Sequence, residues 1–159
     1  MLPARKIDFA AHNIQANLFS WPVTIDVKTE HGDSPLVAID LHGKFPTSAL
    51  QSMINLPLIK QINGMAPYHA QLQLYPAKGR KNDCLKITSN LQGISIDLPR
   101  PFTKKSTEAR DFNVLFAFGD RGNQKLTLQY DRFFHGSINL KTEELSLDID
   151  QLEWANWQP

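Results

Sequence analysis

The stretch that decides the fold is "NLQGISIDLPRPFTKK", residues 90–105. Apolar residues occupy alternate positions from Ile94 to Leu98, with polar residues between them. A side-chain period of two predicts a strand with one dry face and one wet face. Pro99 has no N–H to donate, so the strand must end there, and Pro101 repeats the restriction. Each proline favours an extended conformation in the residue before it, which predicts a stiff, polyproline-like exit from the sheet.

The cations that follow are candidate contacts to an anionic surface. An extended exit would present Lys104 and Lys105 to solvent or to lipid headgroups, with Arg100 beside them, and Arg110 belongs to the same basic loop. A run of cations between strands is most often simply solvated, but at an anionic membrane each one can add about 1 kcal/mol of binding. Arg100, Lys104 and Lys105 are therefore headgroup or surface-contact candidates. A second basic loop has the same two interpretations; it contains Lys78, Arg80 and Lys81.

Composition describes a folded domain without a strong electrostatic preference. The chain has 159 residues, 42% hydrophobic and 21% charged, with a formal charge of +1. These values predict one β-rich unit over residues 1–159 and give no reason to expect a nucleic-acid partner. Cys84 is the single cysteine, and the five histidines are scattered, so neither an intramolecular disulfide nor a metal or other cofactor is predicted.

Membrane and targeting signals are weak in this sequence. The longest apolar runs, such as "VLFAF" at residues 114–118, fall far short of the roughly 20 residues that a spanning helix needs. The opening "MLPARKIDF" lacks the apolar core of a signal peptide. Taken alone, these features predict a cytosolic chain or a piece of a longer one.

Apolar and polar residues alternate in almost every part of the chain. Turn signals such as "HGDSP", the Asn63-Gly64 pair and "GDRGN" separate the segments, which predicts an antiparallel meander. The predicted strands are 7–9, 23–27, 37–41, 68–74, 85–91, 94–98, 112–118, 126–130, 134–140 and 145–149.

Two segments depart from this pattern. Ser48 to Leu56 has an N-cap candidate, helical spacing of apolar residues and Pro57 after it, which predicts one short helix. The tail "LEWANWQP" places Trp154 and Trp157 three apart, either packed on the sheet edge or exposed as an aromatic anchor.

Motifs of catalysis are missing from the sequence. It contains no Gly-x-Ser-x-Gly elbow, no Ser-x-x-Lys set and no phosphate-binding loop ahead of a helix. The two glycines of "GDRGN" suit a hairpin between strands. We therefore expect a protein that is not an enzyme, with no catalytic residues.

Two stretches resemble a known family, the YhdP family of AsmA-like proteins. "LPLIKQINGMAPYHAQLQL" is similar to its leucine-proline segment and hairpin, and the stretch after it matches a "S-[DN]-L-x-G-[IL]-x-[IL]-D-L-P-x-P-x-x-K" signature. "DRFFHGSINL" and "LEWANWQP" extend the resemblance, which runs from about Phe45 to the end. Asn90 stands where the signature usually has an acid. The matched residues are Ser89, Asn90, Leu91, Gly93, Ile94, Ile96, Asp97, Leu98, Pro99, Pro101 and Lys104.

The resemblance implies a segment of a longer envelope protein. Members are anchored in the inner membrane of Gram-negative bacteria and extend through the periplasm. They are thought to carry phospholipid toward the outer membrane along a long, curved sheet with a hydrophobic inner face. This implies a mainly β, antiparallel, strongly curved and groove-like sheet with one short helix, a periplasmic location and a phospholipid or other acyl-chain ligand.

The residue pattern is compatible with that implication but leaves an alternative open. One short helix is too small to cover all the predicted apolar strand faces, so part of the surface would accept acyl chains or be hidden by self-association. Alternatively, about ten strands could form a lipid-free sandwich or barrel that serves as a scaffold or interaction module. The lipid-groove candidates, facing each other across the "GDRGN" hairpin, are Phe112, Val114, Phe116, Phe118, Leu126, Leu128 and Tyr130.

Overall fold

The computed structural model describes residues 8–31, 35–53, 56–76, 82–119, 124–140 and 145–152. The described chain consists of ten strands, and one α-helix and one 3₁₀ helix follow the third strand. The strands are β1 Ala10–Leu18, β2 Trp21–Glu30, β3 Leu36–Pro46, β4 Ile62–Leu74, β5 Cys84–Ser89, β6 Ile94–Ile96, β7 Phe112–Phe118, β8 Gln124–Tyr130, β9 Phe134–Leu140 and β10 Leu145–Leu152. The helices are α1 Thr47–Met53 and the 3₁₀ helix Pro57–Gln61.

Nine strands form one open antiparallel sheet. Their order is β1-β2-β3-β4-β5-β7-β8-β9-β10, and β6 pairs separately with the start of β4. β1 and β10 are the two edges, so the described strands do not close into a barrel. The prediction of a mainly β, antiparallel fold with one short α-helix is confirmed, while the strength of the sheet's curvature stays a prediction.

The edge strand β1 is the element that the alternation pattern misses. Its sequence, "AAHNIQANL", is mostly small or polar, and a register shift between Ala11 and Ile14 interrupts its pairing with β2. Asn13 lies in this bulge with a φ of 55°. A bulge breaks the period of two, so a pattern search cannot extend the strand through it.

The predicted turn at Asn63-Gly64 is wrong, because β4 runs through both residues. Gly64 has a φ of 123°, and a Cβ built on it would lie 2.1 Å from the carbonyl oxygen of Gly93. Gly93, with a φ of 99°, approaches β4 as closely in return, since its Cβ would lie 2.2 Å from the Met65 carbonyl oxygen. These glycines serve a close backbone contact between β4 and the start of β6.

The predicted helix is present, but with different limits. It begins at Thr47, one residue earlier than predicted, and its described part ends at Met53. Leu56 is extended, with φ −108° and ψ 133°, and Pro57 begins the 3₁₀ helix. The proline fits there because the first residue of a helix needs no N–H partner. Trp154 and Trp157 lie outside the described residues.

The segment after β6 partly contradicts the sequence-based prediction. Pro99 and Pro101 lie beyond the strand end, as predicted. The exit is not stiff and extended, however, because Phe102 N–H donates to the Pro99 carbonyl at 3.0 Å and the chain reverses. Lys104 then pairs with Ile96 through two backbone hydrogen bonds of 2.9 and 3.0 Å. The reversal satisfies backbone groups of β6 that an extended exit would leave open.

The core of the described chain is small and lies toward one end of the strands. Residues 91–110, called the cap, contribute Ile94 and Ile96, which pack with Ala66 of β4 and Tyr130 of β8. Partly buried residues of the cap, β7 and β9 surround this cluster. No large side chain in the described ranges is less than 2% exposed. The sheet therefore has a second layer at its capped end alone, as far as the described residues show.

Candidate functional site

One face of the sheet carries an unbroken apolar row across eight strands, β1 to β5 and β7 to β9. Strand pairing places these residues directly opposite one another, so they share a face. Neighbouring strands lie about 4.8 Å apart, so the row extends over roughly 34 Å. It is called the apolar track, and its members are Ala11, Val27, Ile39, Leu72, Leu85, Phe116, Leu126 and Ile138.

The opposite face is more polar in the same strands. The row next to the track on that face includes Lys28, Gln73, Lys125 and Asn139, together with the small residues Ala38, Cys84 and Ala117. Because side chains alternate along each strand, the track and this polar row belong to the same backbone segments. The sheet therefore has one face suited to hydrocarbon and one suited to water.

The predicted panel between β7 and β8 is confirmed as a set of facing pairs. Phe112 is opposite Tyr130, Val114 is opposite Leu128, and Phe116 is opposite Leu126. The Phe116 and Phe118 rings meet edge to face, with centroids 4.7 Å apart. All seven candidate residues thus lie on the apolar face.

The cap divides this panel into a covered part and an open part. Tyr130 is 7% exposed, and its hydroxyl donates to the Phe102 carbonyl at 3.3 Å. Burial raises the pKa of Tyr130, against the opposing effect of the Arg110 charge. Phe112 packs against the same cluster. At the other end of β7, Phe118 is 39% exposed.

Lys104 is buried in the cap and holds it together by hydrogen bonds, so the prediction that this residue is exposed is wrong. The residue is 3% exposed, and its Nζ donates to the carbonyls of Leu91, Ile94 and Lys105 at 2.7, 2.8 and 3.0 Å. These acceptors satisfy all three N–H groups of an ammonium. Burial lowers the pKa of Lys104, and the nearby Arg110 charge adds to that effect, whereas Glu108 opposes it.

Arg110, which the sequence analysis groups with the basic loop, also holds the cap in place, a role that the sequence did not predict. Its Nη1 donates to the Pro101 carbonyl at 2.9 Å and to the Tyr130 hydroxyl at 3.4 Å. The guanidinium also lies over the Phe133 ring, 4.9 Å from the centroid. Glu108 lies 3.6 Å from its Nη2. The signal for this role in the sequence is an arginine two residues before the aromatic strand β7.

Of the other cations named in the sequence analysis, two are exposed on the cap and three lie outside the described residues. Arg100 and Lys105 are exposed on the cap, which agrees with a surface role. The loop with Lys78, Arg80 and Lys81 lies outside the described residues. The headgroup hypothesis is therefore kept for Arg100 and Lys105 and is given up for Lys104.

The polar face carries a cluster of histidine and aspartate on β2, β3 and β4. His69 Nε2 donates to Asp40 Oδ1 at 2.8 Å, and Gln71 Nε2 donates to the same oxygen at 2.9 Å. Burial of Asp40 acts to raise its pKa, but these hydrogen bonds outweigh it and hold the pKa below the ordinary value of an aspartate. His42 stacks on His69, with ring centroids 4.3 Å apart. Asp26 is the cross-strand neighbour of Asp40 on β2.

Other features of the described chain are limited. Two clefts have volumes of about 480 and 490 Å³. Asp131 and Arg132 are among the residues that line the first, and Ser95 and Thr103 are among those that line the second. No group of three histidine, cysteine or acidic side chains in the described ranges is arranged to hold a metal ion. Within the same ranges, neither helix has the length and apolar character to cross a bilayer.

An open antiparallel sheet with one apolar face and a small cap defines the class of protein, a mainly β protein built on a single open sheet. The model of the YhdP protein family matches residues 6–158. The match covers nearly the whole chain, so this chain belongs to the YhdP family, and the resemblance seen in the signature residues is confirmed. Family membership indicates an AsmA-like protein of the cell envelope. No curated protein and no solved structure matches the chain.

Proposed function

We propose that this chain is a segment of a bridge-like lipid transfer protein that carries phospholipid between the inner and outer membranes. The observation that supports it best is the apolar track, which crosses eight strands without a polar residue. Its roughly 34 Å exceeds the roughly 15 Å of one hydrocarbon leaflet. An acyl chain could lie along the track with its headgroup outside the sheet.

The cap supports this proposal because it covers one end of the strands and leaves the other end open. Away from the cap, the track residues of β5, β7 and β8 are half-buried by their neighbours, with no second sheet above them in the described chain. A lipid-free sandwich would need a second sheet there. The periplasmic location, the inner-membrane anchor of the full-length protein and the absence of catalysis belong to the same proposal.

The test is binding of a fatty acid that carries an environment-sensitive fluorophore. Phe116→Glu and Leu128→Glu place a charge on the open apolar face and should abolish binding, because burying a carboxylate against hydrocarbon is strongly unfavourable. Leu115→Glu is the matched control: Leu115 is next to Phe116 on the same strand, is 41% exposed and faces the polar side. This control should bind like the wild type.

The scaffold alternative predicts a different set of results. If the wild-type chain binds no fatty acid and Phe116→Glu unfolds it, the open face is ordinary core that a second protein layer covers. If Leu115→Glu weakens binding as much as Phe116→Glu, the probe does not distinguish the faces and the track is not its site. Mass spectrometry of lipid extracted from the purified chain checks the same question without a label.

A further inference from the structure

Tyr68 of β4 is a residue with a polar group on the apolar face of the sheet. It pairs with Gly43 of β3, and the alternation along β4 places it on the same face as Ala70 and Leu72. Gly43 has no side chain, and the ring of Tyr68 lies over it. A Cβ built on Gly43 would be 3.1 Å from Tyr68 Cε1, 3.2 Å from the Tyr68 hydroxyl oxygen and 3.3 Å from the Pro22 carbonyl oxygen. The phenol therefore reaches across β3 toward β2.

The hydroxyl of Tyr68 has no hydrogen-bond partner among the described residues. No buried polar side-chain atom in the described part of the chain lacks a partner, so this oxygen reaches the surface of the apolar face. Two other hydroxyls of the same face form their hydrogen bonds within the protein. Ser89 donates to the Pro67 carbonyl at 2.7 Å, and Tyr130 donates to the Phe102 carbonyl at 3.3 Å. In contrast to these two, the Tyr68 hydroxyl is available to a ligand.

The surroundings of this hydroxyl favour a neutral hydrogen-bond acceptor. Burial raises the pKa of Tyr68, so the phenol keeps its proton at neutral pH and acts as a donor. A phosphate would bring a negative charge to a half-dry surface with no cation among these neighbours, whereas an ester carbonyl accepts a hydrogen bond without a charge. The site therefore suits the acyl ester of a lipid and not its phosphate. The neighbours of Tyr68 on the face, given by strand pairing and alternation, are Val23, Gly43, Ala66 and Ala70.

The position of Tyr68 connects the apolar track with one rim of the sheet. Tyr68 and Leu72 of the track are four residues apart on β4, which is about 13 Å along the strand. In the other direction, Val23, opposite Gly43, is two residues from Trp21, where β2 begins. Among the described residues, the core cluster under the cap has no member from β1 to β3. An acyl chain whose ester lies at Tyr68 would run from there to the track, with its headgroup beyond the start of β2.

We propose that Tyr68 recognises the acyl ester of a bound lipid, its hydroxyl donating a hydrogen bond to the ester carbonyl oxygen. This inference rests on the proposed lipid function and assigns a polar contact to it. The hydrophobic effect is not directional, so the apolar face alone would hold a hydrocarbon chain at any position along its length. A single hydrogen bond from Tyr68 fixes the position of the ester on the sheet and distinguishes an acyl lipid from a plain hydrocarbon.

A matched pair of lipids tests this contact. Palmitoyl lysophosphatidylcholine and its hexadecyl ether analogue have the same headgroup and chain length, but the ether lacks the carbonyl oxygen. Each lipid, kept below its critical micelle concentration, is used to displace diphenylhexatriene, a fluorescent hydrocarbon without oxygen, from the chain. Tyr68→Phe should weaken binding of the ester about three- to tenfold, the usual net effect of one hydrogen bond, and should leave the affinities for the ether and for diphenylhexatriene unchanged.

Tyr75→Phe is the matched control, because it removes the same group outside this site. The Tyr75 hydroxyl donates to Gln73 Oε1 at 3.1 Å, and Gln73 lies in the polar row. This variant should keep the wild-type ratio of the ester and ether affinities, and far-ultraviolet circular dichroism checks that both variants are folded. If Tyr68→Phe keeps that ratio, or Tyr75→Phe changes it equally, the inference about Tyr68 fails and the lipid proposal is unaffected. If the wild-type chain binds neither diphenylhexatriene nor either lipid, both fail.

Discussion

The two ends of strand β7 show how one alternating pattern produces both core and open surface. At the capped end, Phe112 is opposite Tyr130 and both pack against the cap. At the other end, Phe118 lies on the same face but is 39% exposed. The sequence pattern is the same at both ends, and the covering layer differs. The burial of the apolar side chains along β7 therefore depends on residues 91–110 and not on the strand pattern alone.

The cap depends on a backbone contact that tolerates no side chain, so Gly93→Ala should have the largest effect. A Cβ at Gly93 would meet the Met65 carbonyl oxygen at 2.2 Å, and the φ of 99° is unfavourable for alanine. We expect a loss of about 4 kcal/mol or more in the free energy of unfolding, measured by urea denaturation. Gly43→Ala is the milder comparison, since its nearest neighbour is the Tyr68 side chain at 3.1 Å. Equal losses at the two sites would show that the β4 contact does not hold the cap.

Truncating one aromatic ring at each end tests the comparison directly. Tyr130→Ala should cost about 3–5 kcal/mol, the usual range for emptying a buried aromatic site. Phe118→Ala should cost less than about 1 kcal/mol, because a ring that is 39% exposed loses little burial. Thermal or urea unfolding of the two variants provides the measurement. A large loss at Phe118 would mean that the open end is covered by a layer of its own.

The buried lysine of the cap should matter more than its exposed neighbour. Lys104→Met removes the donors to three carbonyls and leaves those of Leu91 and Ile94 without this partner, which costs about 1–3 kcal/mol. Lys105→Met changes an exposed side chain and should stay within about 0.5 kcal/mol of the wild type. Urea denaturation of both variants measures these changes in the free energy of unfolding. If the two losses are equal, the carbonyl contacts of Lys104 contribute nothing to stability.

The open end could be predicted from sequence more fully than the capped end. Alternation alone predicted that Val114 and Phe116 share a face and lie opposite β8, because strand period and hairpin pairing are local properties. The burial of Lys104 could not be predicted this way. Its three acceptors are loop carbonyls that converge through the reversal after Pro99, and charge alone favours exposure.

Two further differences between the sequence-based predictions and the structure also arise from contacts between segments that are distant in sequence. The Asn63-Gly64 pair is typical of a turn, yet Gly64 is used where β6 approaches β4, and that requirement comes from a segment 30 residues away. The family signature contains Gly93 and Lys104, and in the structure both hold the cap in place. Lys104, which the sequence alone predicts to be a surface residue, therefore has a structural role in this signature stretch.

The smallest expected effect concerns Asp40 on the polar face of the sheet, which is separate from the capped and open ends of the apolar face. Hydrogen bonds from His69 and Gln71 hold the pKa of Asp40 below its ordinary value despite its burial, and Lys28 acts in the same direction. A carboxyl whose pKa is lower in the folded state stabilises the fold above the unfolded value, and this stabilisation is lost as pH falls through the folded value. Asp40→Asn should therefore lower stability at about pH 7 by less than about 1 kcal/mol and flatten its decline toward about pH 3.

The control for this prediction is the hydrogen-bond donor. His69→Gln keeps the carboxyl but removes the imidazole that lies 2.8 Å from it, so it should flatten the same decline in part. Urea denaturation at each pH gives the free energy of unfolding, and far-ultraviolet circular dichroism checks that the sheet is intact. An Asp40→Asn variant that loses stability with acid as steeply as the wild type would show that other carboxyls control the acid response. The polar face would then contribute to solubility but not to the pH dependence of the fold.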